Sequence, residues 1–305
     1  MSKHTHSVLP YPYAKKSESI NQPGVYISGF EFDGTVCFRK GASLGPNAFR
    51  EVGEGVESYS PYLDTDLEQS DFLFDVGNLV IPRSKSVDEN FLSALKNFED
   101  SVKSIDLKKD NIKLLTLGGE HSISIAPIKK YLEDYSDLVI IHLDAHADLR
   151  DGYLGHHYSH ASIIRRSLDL FSSGHSLIQY GIRSGTKEEY DYMVKNKTIC
   201  RSRNEFLERV EMIANERPVY LTLDLDYFDP AYLPGTGTPE AGGEDFHSFI
   251  SLLKILKNKN FVGADIVELA PEIDPTGNSA VFGTKVLREV SAVLLGSFNN
   301  SKGEV

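Results

Sequence analysis

The chain has 305 residues, of which 40% are hydrophobic and 25% charged, a composition typical of globular proteins that excludes wholesale disorder. Lys and Arg total 32 against 44 Asp and Glu, and the net charge of −12 argues against nucleic acid or an anionic membrane as the main partner. Cys37 and Cys200 are too few for a disulfide framework and favour a reducing compartment. Neither a signal-peptide core nor an apolar stretch of about 20 residues is present, so we expect a soluble, cytoplasmic protein.

Residues 1–22 are polar and contain proline, and we expect them to form an N-terminal arm on the surface or on a neighbouring subunit. Residues 23–305 show no linker-like change of composition and no internal repeat, so we predict a single domain there. Within it, short runs are apolar almost without alternation, as expected of strands buried on both faces of a parallel sheet. These runs are Val25–Ile27, Lys113–Leu117, Leu138–Leu143, Leu177–Ile182, Val219–Leu223 and Phe261–Val267.

Helical patterns lie between these runs. Apolar residues spaced three and four apart form the stripe of one amphipathic helix, and residues 246–257 and 279–295 also have a helical pattern. Alternating strands and helices imply a doubly wound α/β sheet with helices on both faces. In such a sheet ligands bind outside the carboxyl ends of the strands. The stripe consists of Val87, Phe91, Leu95, Phe98 and Val102.

Potential metal ligands follow three of the apolar runs. Asp144, His146 and Asp148 alternate with two alanines, so they share one face if the strand continues. Asp224 and Asp226 follow the run that ends at Leu223, and His121 follows Gly118-Gly119-Glu120. Taken alone, His121 is more often a capping or packing residue, and the pair at 224 and 226 could form a turn. Three such groups at three strand ends make a metal site the better interpretation.

Four carboxylates and two imidazoles suit hard or borderline divalent ions such as manganese. Two divalent cations would balance the four negative charges, whereas unpaired acids crowded at strand ends would repel one another. A two-metal site lowers the pKa of a bridging water and supplies a nucleophile at neutral pH. The residue types therefore predict a site for two ions, without separating manganese from nickel or cobalt.

Together these motifs resemble the ureohydrolase superfamily, and agmatinases most closely. The resemblance runs from about Gly24 to Leu295. It implies a three-layer α/β/α fold around a mainly parallel, eight-stranded sheet, as in arginases. It also implies two Mn²⁺ ions per subunit, whose bridging hydroxide hydrolyses agmatine to putrescine and urea. The matching stretches are Phe32-Asp33-Gly34-Thr35 with Phe38-Arg39, Gly118-Gly119-Glu120-His121-Ser122, Asp144-Ala145-His146-Ala147-Asp148, Leu223-Asp224-Leu225-Asp226, Gly235-Thr236-Gly237-Thr238-Pro239 and Val267-Glu268.

The resemblance also assigns roles to individual residues. His160 occupies the position of the proton-shuttling histidine, with His156 and His157 as alternatives in the same loop. Glu268 would clamp the guanidinium, for which a carboxylate is a good partner. Among the ligands, Asp144 and Asp224 would bridge both ions. One ion would further take His121 and Asp148, and the other would take His146 and Asp226.

The candidate guanidino substrates differ at the end away from the guanidinium, so the residues that bind this distal end determine which compound is hydrolysed. Residues 149–159, which precede His160, contain no asparagine. Arg183 is followed by Ser184-Gly185-Thr186, where arginases have an acid. Both features depart from arginases and resemble agmatinases. Agmatine, a small cationic substrate, is the leading hypothesis, with Asp151 as a candidate for its ammonium. The alternatives are aminopropylagmatine, arginine, and guanidinobutyrate, whose carboxylate would use Arg150.

Two other functions are less consistent with these residues. A non-catalytic binding protein of the same fold would not need the intact set of ligands. An amide deacetylase would not need the second metal site, which His121 and Asp148 complete. Glu120 stands where many relatives have Asp, and we expect this change to be tolerated. The glycine-rich segment Pro234–Gly243 is predicted to form a pocket wall rather than a phosphate-binding loop. The family implies a homo-oligomer, a trimer or a hexamer.

Overall fold

The computed structural model describes residues 3–6, 9–83 and 86–299, and within them the main chain builds one large sheet of nine strands and a separate two-stranded sheet. In chain order the strands are β1 (His4–Thr5), β2 (Lys15–Lys16), β3 (Gly24–Phe30), β4 (Tyr59–Ser60), β5 (Thr65–Asp66), β6 (Leu73–Leu79), β7 (Ile112–Gly118), β8 (Val139–Leu143), β9 (Ser176–Tyr180), β10 (Pro218–Asp224) and β11 (Asn260–Val267). The large sheet has the order β1-β6-β3-β7-β11-β10-β8-β9, and β2 also pairs with β6. Strands β4 and β5 form the small sheet.

Helices connect the strands. They are α1 (Gly45–Gly53), α2 (Val87–Val102), α3 (Ile125–Asp134), α4 (Ile163–Leu168), α5 (Lys187–Lys195), α6 (Arg203–Glu211), α7 (Phe246–Leu256) and α8 (Asn278–Asn299). Short 3₁₀ turns follow the carboxyl ends of β7 and β10, at His121–Ser124 and Leu225–Tyr227. None of the helices in the described part of the chain has the length and apolar character needed to span a membrane.

The three-layer α/β/α fold predicted from the sequence is confirmed. The strands from β6 through β9 in the sheet order are all parallel. All six predicted apolar runs coincide with parallel strands, β3, β7, β8, β9, β10 and β11, although the runs begin one residue before β8 and end two residues after β9. The sheet has nine strands rather than eight because two short strands, β1 antiparallel and β2 parallel, share the outer edge of β6.

Each face of the sheet carries its own apolar core. Successive side chains of a strand point to opposite faces, so Val25 and Ile27 enter one core while Tyr26 enters the other. Helices α1, α6, α7 and α8 cover the first face, and α2, α3, α4 and α5 cover the second. The strand ends between these layers are therefore the place where a site open to solvent can form.

The sequence did not predict β6, because polar residues interrupt its apolar pattern. Asp75 and Asn78 are buried in this strand, where an unpaired carboxylate would be costly. The guanidinium of Arg50, on α1, donates to both oxygens of Asp75 at 2.7 and 2.9 Å and to Oδ1 of Asn78 at 2.6 Å. This buried network replaces apolar packing at that point of the sheet.

Residues of the predicted N-terminal arm lie against this chain's own sheet. Strands β1 and β2 pair with β6, and the ring of Tyr11 between them is fully buried. The backbone N–H of Tyr11 donates to Oδ2 of Asp75 at 2.8 Å. The described part of the arm thus extends the edge of the sheet, while a single domain over residues 23–305 stays a prediction.

One buried cation gives a testable pH dependence of stability. Burial lowers the pKa of Lys113, on β7, from 10.5 to about 7, and its ammonium donates to the carbonyl of Leu294 at 2.9 Å. Since the unfolded chain binds more protons between pH 7 and 10.5, the free energy of unfolding should rise with pH there, at most ~1.4 kcal/mol per pH unit from this group. We expect Lys113→Met to remove this slope. The variant should then be more stable than the wild type at pH 7, and the difference in the free energy of unfolding should decrease towards pH 10. Urea denaturation at several pH values measures both proteins, and parallel curves would contradict the assignment.

Candidate active site

The predicted site residues lie at the carboxyl ends of four neighbouring strands, β7, β11, β10 and β8. These ends meet because the four strands are parallel neighbours in the sheet. Just after β7, the backbone of Gly119 also passes close to Phe32, which follows β3. A Cβ atom at this glycine would lie 1.9 Å from the carbonyl oxygen of Phe32. The carbonyl of Gly119 also accepts a hydrogen bond from the backbone N–H of Glu268 at 2.8 Å. Strand ends from β7 and β11 are thereby held side by side.

Nδ1 of His121 faces three carboxylates. It lies 3.0 Å from Oδ2 of Asp144, 3.1 Å from Oδ2 of Asp148 and 3.5 Å from Oδ2 of Asp224. All four side chains are buried, and Nδ1 nevertheless has no hydrogen bond of acceptable geometry to any described residue. One ring nitrogen and several carboxylate oxygens around a common point form the kind of donor set that divalent ions prefer.

A second group lies beside the first and shares Asp144 with it. Nδ1 of His146 is 2.9 Å from Oδ2 of Asp226 and 3.5 Å from Oδ1 of Asp144. Asp144 thus presents one oxygen to each group. Its Oδ1 also accepts from the backbone N–H of His146 at 2.5 Å, which fixes the plane of the carboxylate. The six residues predicted as ligands are therefore brought together in two adjoining clusters.

The hydrogen bonds behind His121 select the tautomer that a metal ligand needs. Thr222 donates its hydroxyl proton to Oδ1 of Asp265 at 2.7 Å, so Oγ1 of Thr222 can only accept, and it accepts from Nε2–H of His121 at 2.8 Å. In the neutral imidazole the lone pair of His121 is therefore on Nδ1, the nitrogen that faces the carboxylates. Asp265 is fully buried and also accepts from Ser124 at 2.8 Å and from Tyr220 at 2.6 Å.

The electrostatics of the cluster also fit cations. Burial, with the charges of Asp226 and Asp144, raises the pKa of Asp224 well above its usual range. Burial and the charge of Asp144 raise the pKa of Asp148 to about 7. Carboxyls whose pKa is raised by burial and by neighbouring negative charges favour a bound positive charge. Oδ2 of Asp226 is, in addition, buried without a hydrogen-bond partner among the described residues. The residues present thus fit two divalent ions.

Sequence reasoning missed His142, which is buried on β8. Nε2 of His142 lies 2.8 Å from Oδ2 of Asp144, and its Nδ1 accepts from the amide of Gln179 at 3.1 Å. Accepting at Nδ1 leaves the proton on Nε2, so His142 donates to Asp144 and orients it. The signal was available, because position 142 continues the alternation that places 144, 146 and 148 on one face.

A cavity of about 210 Å³ opens over the cluster and is lined by both residues predicted to act on the substrate, His160 and Glu268. Glu268 is buried at the end of β11 with a positive φ of 67°, and its Oε1 accepts from the backbone N–H of His121 at 2.8 Å. Asp148 has a φ of 54°. Residues other than glycine rarely adopt a positive φ, because this conformation strains the backbone. Strained residues are concentrated at functional sites.

The other loop histidines lie away from the cavity. Nδ1 of His156 is 2.7 Å from Oδ1 of Asp88, and the ring of His157 contacts the guanidinium of Arg166. Arg166 also donates to Oδ1 of Asp151 at 2.6 Å. Asp151 therefore forms an ion pair and does not line the cavity formed by the described residues, contrary to its suggested role at the substrate's ammonium.

The rim of the cavity combines several loops. The guanidinium of Arg150 lies 4.6 Å from the centre of the Tyr153 ring, and both residues line the cavity together with Cys37 and Thr238. Thr238 belongs to the Pro234–Gly243 segment, so this segment does form part of the wall. Arg39 holds it by donating to the carbonyl of Thr236 at 2.8 Å.

Thr222→Val should test the orientation of His121. We expect it to weaken metal binding about 10- to 100-fold, because the hydroxyl that fixes the tautomer is lost. Titration of chelator-treated protein with Mn²⁺ gives the affinity. Thr116→Val, on β7, is the matched control, since the buried hydroxyl of Thr116 has no partner among the described residues. Equal affinities for both variants would rule out this role for Thr222.

Comparison with known proteins gives a consistent result. The chain is 38% identical over 283 residues to an agmatinase of Bacillus cereus, covering 91% of this chain and 94% of the relative. It is 35% identical over 268 residues to an N(1)-aminopropylagmatine ureohydrolase of Thermococcus kodakarensis, covering 83% and 86%. A crystal structure of a putative agmatinase from Clostridium difficile superposes with a TM-score of 0.82 at 36% identity, covering 91% and 99%. Residues 23–292 match the arginase family. The chain therefore belongs to the arginase family, and its predicted resemblance to ureohydrolases is confirmed.

Proposed function

We propose that the protein hydrolyses agmatine to putrescine and urea at a centre of two manganese ions. The observation that carries this proposal is the pair of histidine–carboxylate clusters that share Asp144 beneath a cavity lined by Glu268 and His160. Family membership and the similarity to agmatinases support the same reaction class. His121, Asp144, Asp148 and Asp224 would hold one ion; His146, Asp144, Asp224 and Asp226 would hold the other.

Glu268 would bind the guanidinium. Burial and the charge of Glu120 raise the pKa of Glu268 well above its usual range, so an arriving cation relieves an unfavourable arrangement. A planar guanidinium offers forked donors that match a carboxylate. Since one oxygen of Glu268 already accepts from the backbone of His121 at 2.8 Å, the carboxylate has a fixed position next to the metal cluster.

His160 would carry the proton. Burial lowers the pKa of His160 to about 4, so its imidazole is neutral at pH 7. A neutral imidazole can accept the proton of the attacking hydroxide and pass it to the leaving amine. When bound, the two ions would supply a hydroxide nucleophile at neutral pH.

Two charged residues near the cavity bear on the distal end of the substrate. Glu240, whose side chain is 43% exposed, lies 4.0 Å from Nε2 of His146 and could meet an ammonium group, which favours agmatine. Arg150 lines the cavity and would instead meet a carboxylate. Guanidinobutyrate is therefore the second candidate, and Arg150 is the observation that favours it.

Urea release by manganese-loaded protein, with agmatine, guanidinobutyrate, aminopropylagmatine and arginine side by side, tests the proposal. A strong preference for agmatine supports it, and a preference for guanidinobutyrate that Arg150→Met abolishes supports the second candidate. Absence of urea from all four, with two metals bound per chain, would overturn the proposed substrate class and favour a binding protein.

Three further features remain predictions from the family and the sequence: manganese rather than nickel or cobalt, assembly as a trimer or hexamer, and a cytoplasmic location. Metal analysis of protein purified without added metal addresses the first. Light scattering addresses the second.

A further inference from the structure

A buried carboxylate lies behind the proposed shuttle histidine, with one hydroxyl between them. Glu120 is fully buried. Its Oε1 accepts from the hydroxyl of Thr35 at 2.5 Å and from Ser122 at 2.6 Å, and its Oε2 accepts from the backbone N–H of Thr35 at 2.7 Å. On its other side, Oγ1 of Thr35 lies 3.2 Å from Nδ1 of His160. Glu120, Thr35 and His160 therefore form a continuous chain of hydrogen bonds.

The direction of these bonds follows from the number of protons available. A threonine hydroxyl has one proton and two lone pairs. The proton of Thr35 is donated to Glu120, and one lone pair accepts from the backbone N–H of His160 at 3.2 Å. The remaining contact, to Nδ1 of His160, is then satisfied only if Nδ1 carries the proton. The nitrogen on the opposite side of the ring, Nε2, is left with its lone pair.

We propose that Glu120 and Thr35 are positioning residues that hold His160 in the Nδ1–H tautomer and so leave Nε2 free to accept a proton in the cavity. The role rests on the proposed function, because His160 is the shuttle only if the guanidino compound is hydrolysed. The ring of Tyr153 packs edge-on against the ring of His160, with the two ring centres 5.7 Å apart, and so restricts the rotation of His160. Glu120 thus acts on the reaction through Thr35, whereas the sequence alone predicted only that a glutamate is tolerated at this position.

The tautomer can be observed without any substrate. In protein labelled with ¹⁵N-histidine and loaded with the diamagnetic ion Zn²⁺, long-range ¹H–¹⁵N spectra distinguish Nδ1–H from Nε2–H imidazoles, and His160→Asn identifies the signal. We expect the Nδ1–H pattern in the wild type and in Thr35→Ser, and a mixture of both tautomers in Thr35→Val. An Nε2–H pattern in the wild type would overturn the proposal.

Kinetics provide the second measurement. Thr35→Val should lower kcat about 10- to 100-fold with little change in KM or metal content, because only the proton transfer is impaired. Thr35→Ser should restore most of the activity. Thr284→Val, on α8, is the control, since the buried hydroxyl of Thr284 has no partner among the described residues.

These outcomes separate two failures. If the wild type releases no urea but shows the Nδ1–H pattern, the hydrogen-bond relay holds and the proposed function fails. If the wild type is active and Thr35→Val retains full kcat, the relay has no role in proton transfer. A loss of activity in Thr35→Ser equal to that in Thr35→Val would also overturn the proposal, since the hydroxyl would then not suffice.

Discussion

Asp144→Asn should reduce urea release by at least about 10³-fold and prevent the binding of two ions per chain. Each oxygen of Asp144 faces a different histidine, at 3.0 Å from Nδ1 of His121 and 3.5 Å from Nδ1 of His146. Asparagine replaces one of these oxygens by an NH₂ group that cannot bind a cation and removes one negative charge. Losing several kcal/mol of metal-derived stabilisation of the transition state corresponds to a rate loss of this size.

Metal analysis and urea release measure the effect of Asp144→Asn. Asp137→Asn makes the same chemical change at an exposed residue just before β8 and should leave both quantities unchanged. If Asp144→Asn still binds two ions and keeps more than a tenth of the wild-type rate, the shared-ligand arrangement is wrong.

Glu268→Gln should lower kcat/KM for the preferred guanidino substrate roughly 10²- to 10³-fold while two ions remain bound. The side chain is buried, and glutamine keeps its shape but loses the charge that would pair with the guanidinium. Removing one partner of a buried ion pair costs about 3–5 kcal/mol, and the lower part of this range corresponds to the expected factor. Steady-state kinetics with metal analysis of the same samples measure it.

Glu272→Gln is the control for this prediction, because Glu272 is an exposed acid in the turn that follows Glu268. It should behave as the wild type. A Glu268→Gln variant that lost its metals as well would indicate that Glu268 organises the cluster through the backbone of His121 rather than binding the substrate.

Much of the fold could be predicted because its central strands are buried on both faces, which produces unbroken apolar runs such as Val219–Leu223. Other elements have no such signal. Strand β6 contains Asp75, whose burial depends on an arginine from a distant helix. Helix α3 contains Pro127 and continues from a 3₁₀ turn, so its pattern does not stand out in the sequence.

The candidate site was predictable to the extent that its residues follow strand ends. Parallel strands bring their carboxyl ends to one edge, and this rule alone gathers His121, Asp144 and Asp224. The supporting residues were not predictable in this way. Asp265 and Thr222 are separated from His121 by more than a hundred positions along the chain, and their contacts depend on strand register. Arg166, on α4, binds the carboxylate of Asp151, which therefore does not face the cavity. The position of this helix could not be predicted from the sequence.

The position of β11 in the sheet has a consequence for protein synthesis. Among the strands that the structure describes, this one is the last to leave the ribosome, yet it pairs with β7 on one side and β10 on the other. Before it emerges, the sheet consists of two unconnected halves, with His121 on one half and the five aspartate and histidine ligands of β8 and β10 on the other. Nascent chains that end before about Val267 therefore cannot assemble the complete cluster, and binding of the proposed ions has to await the release of β11 from the ribosome.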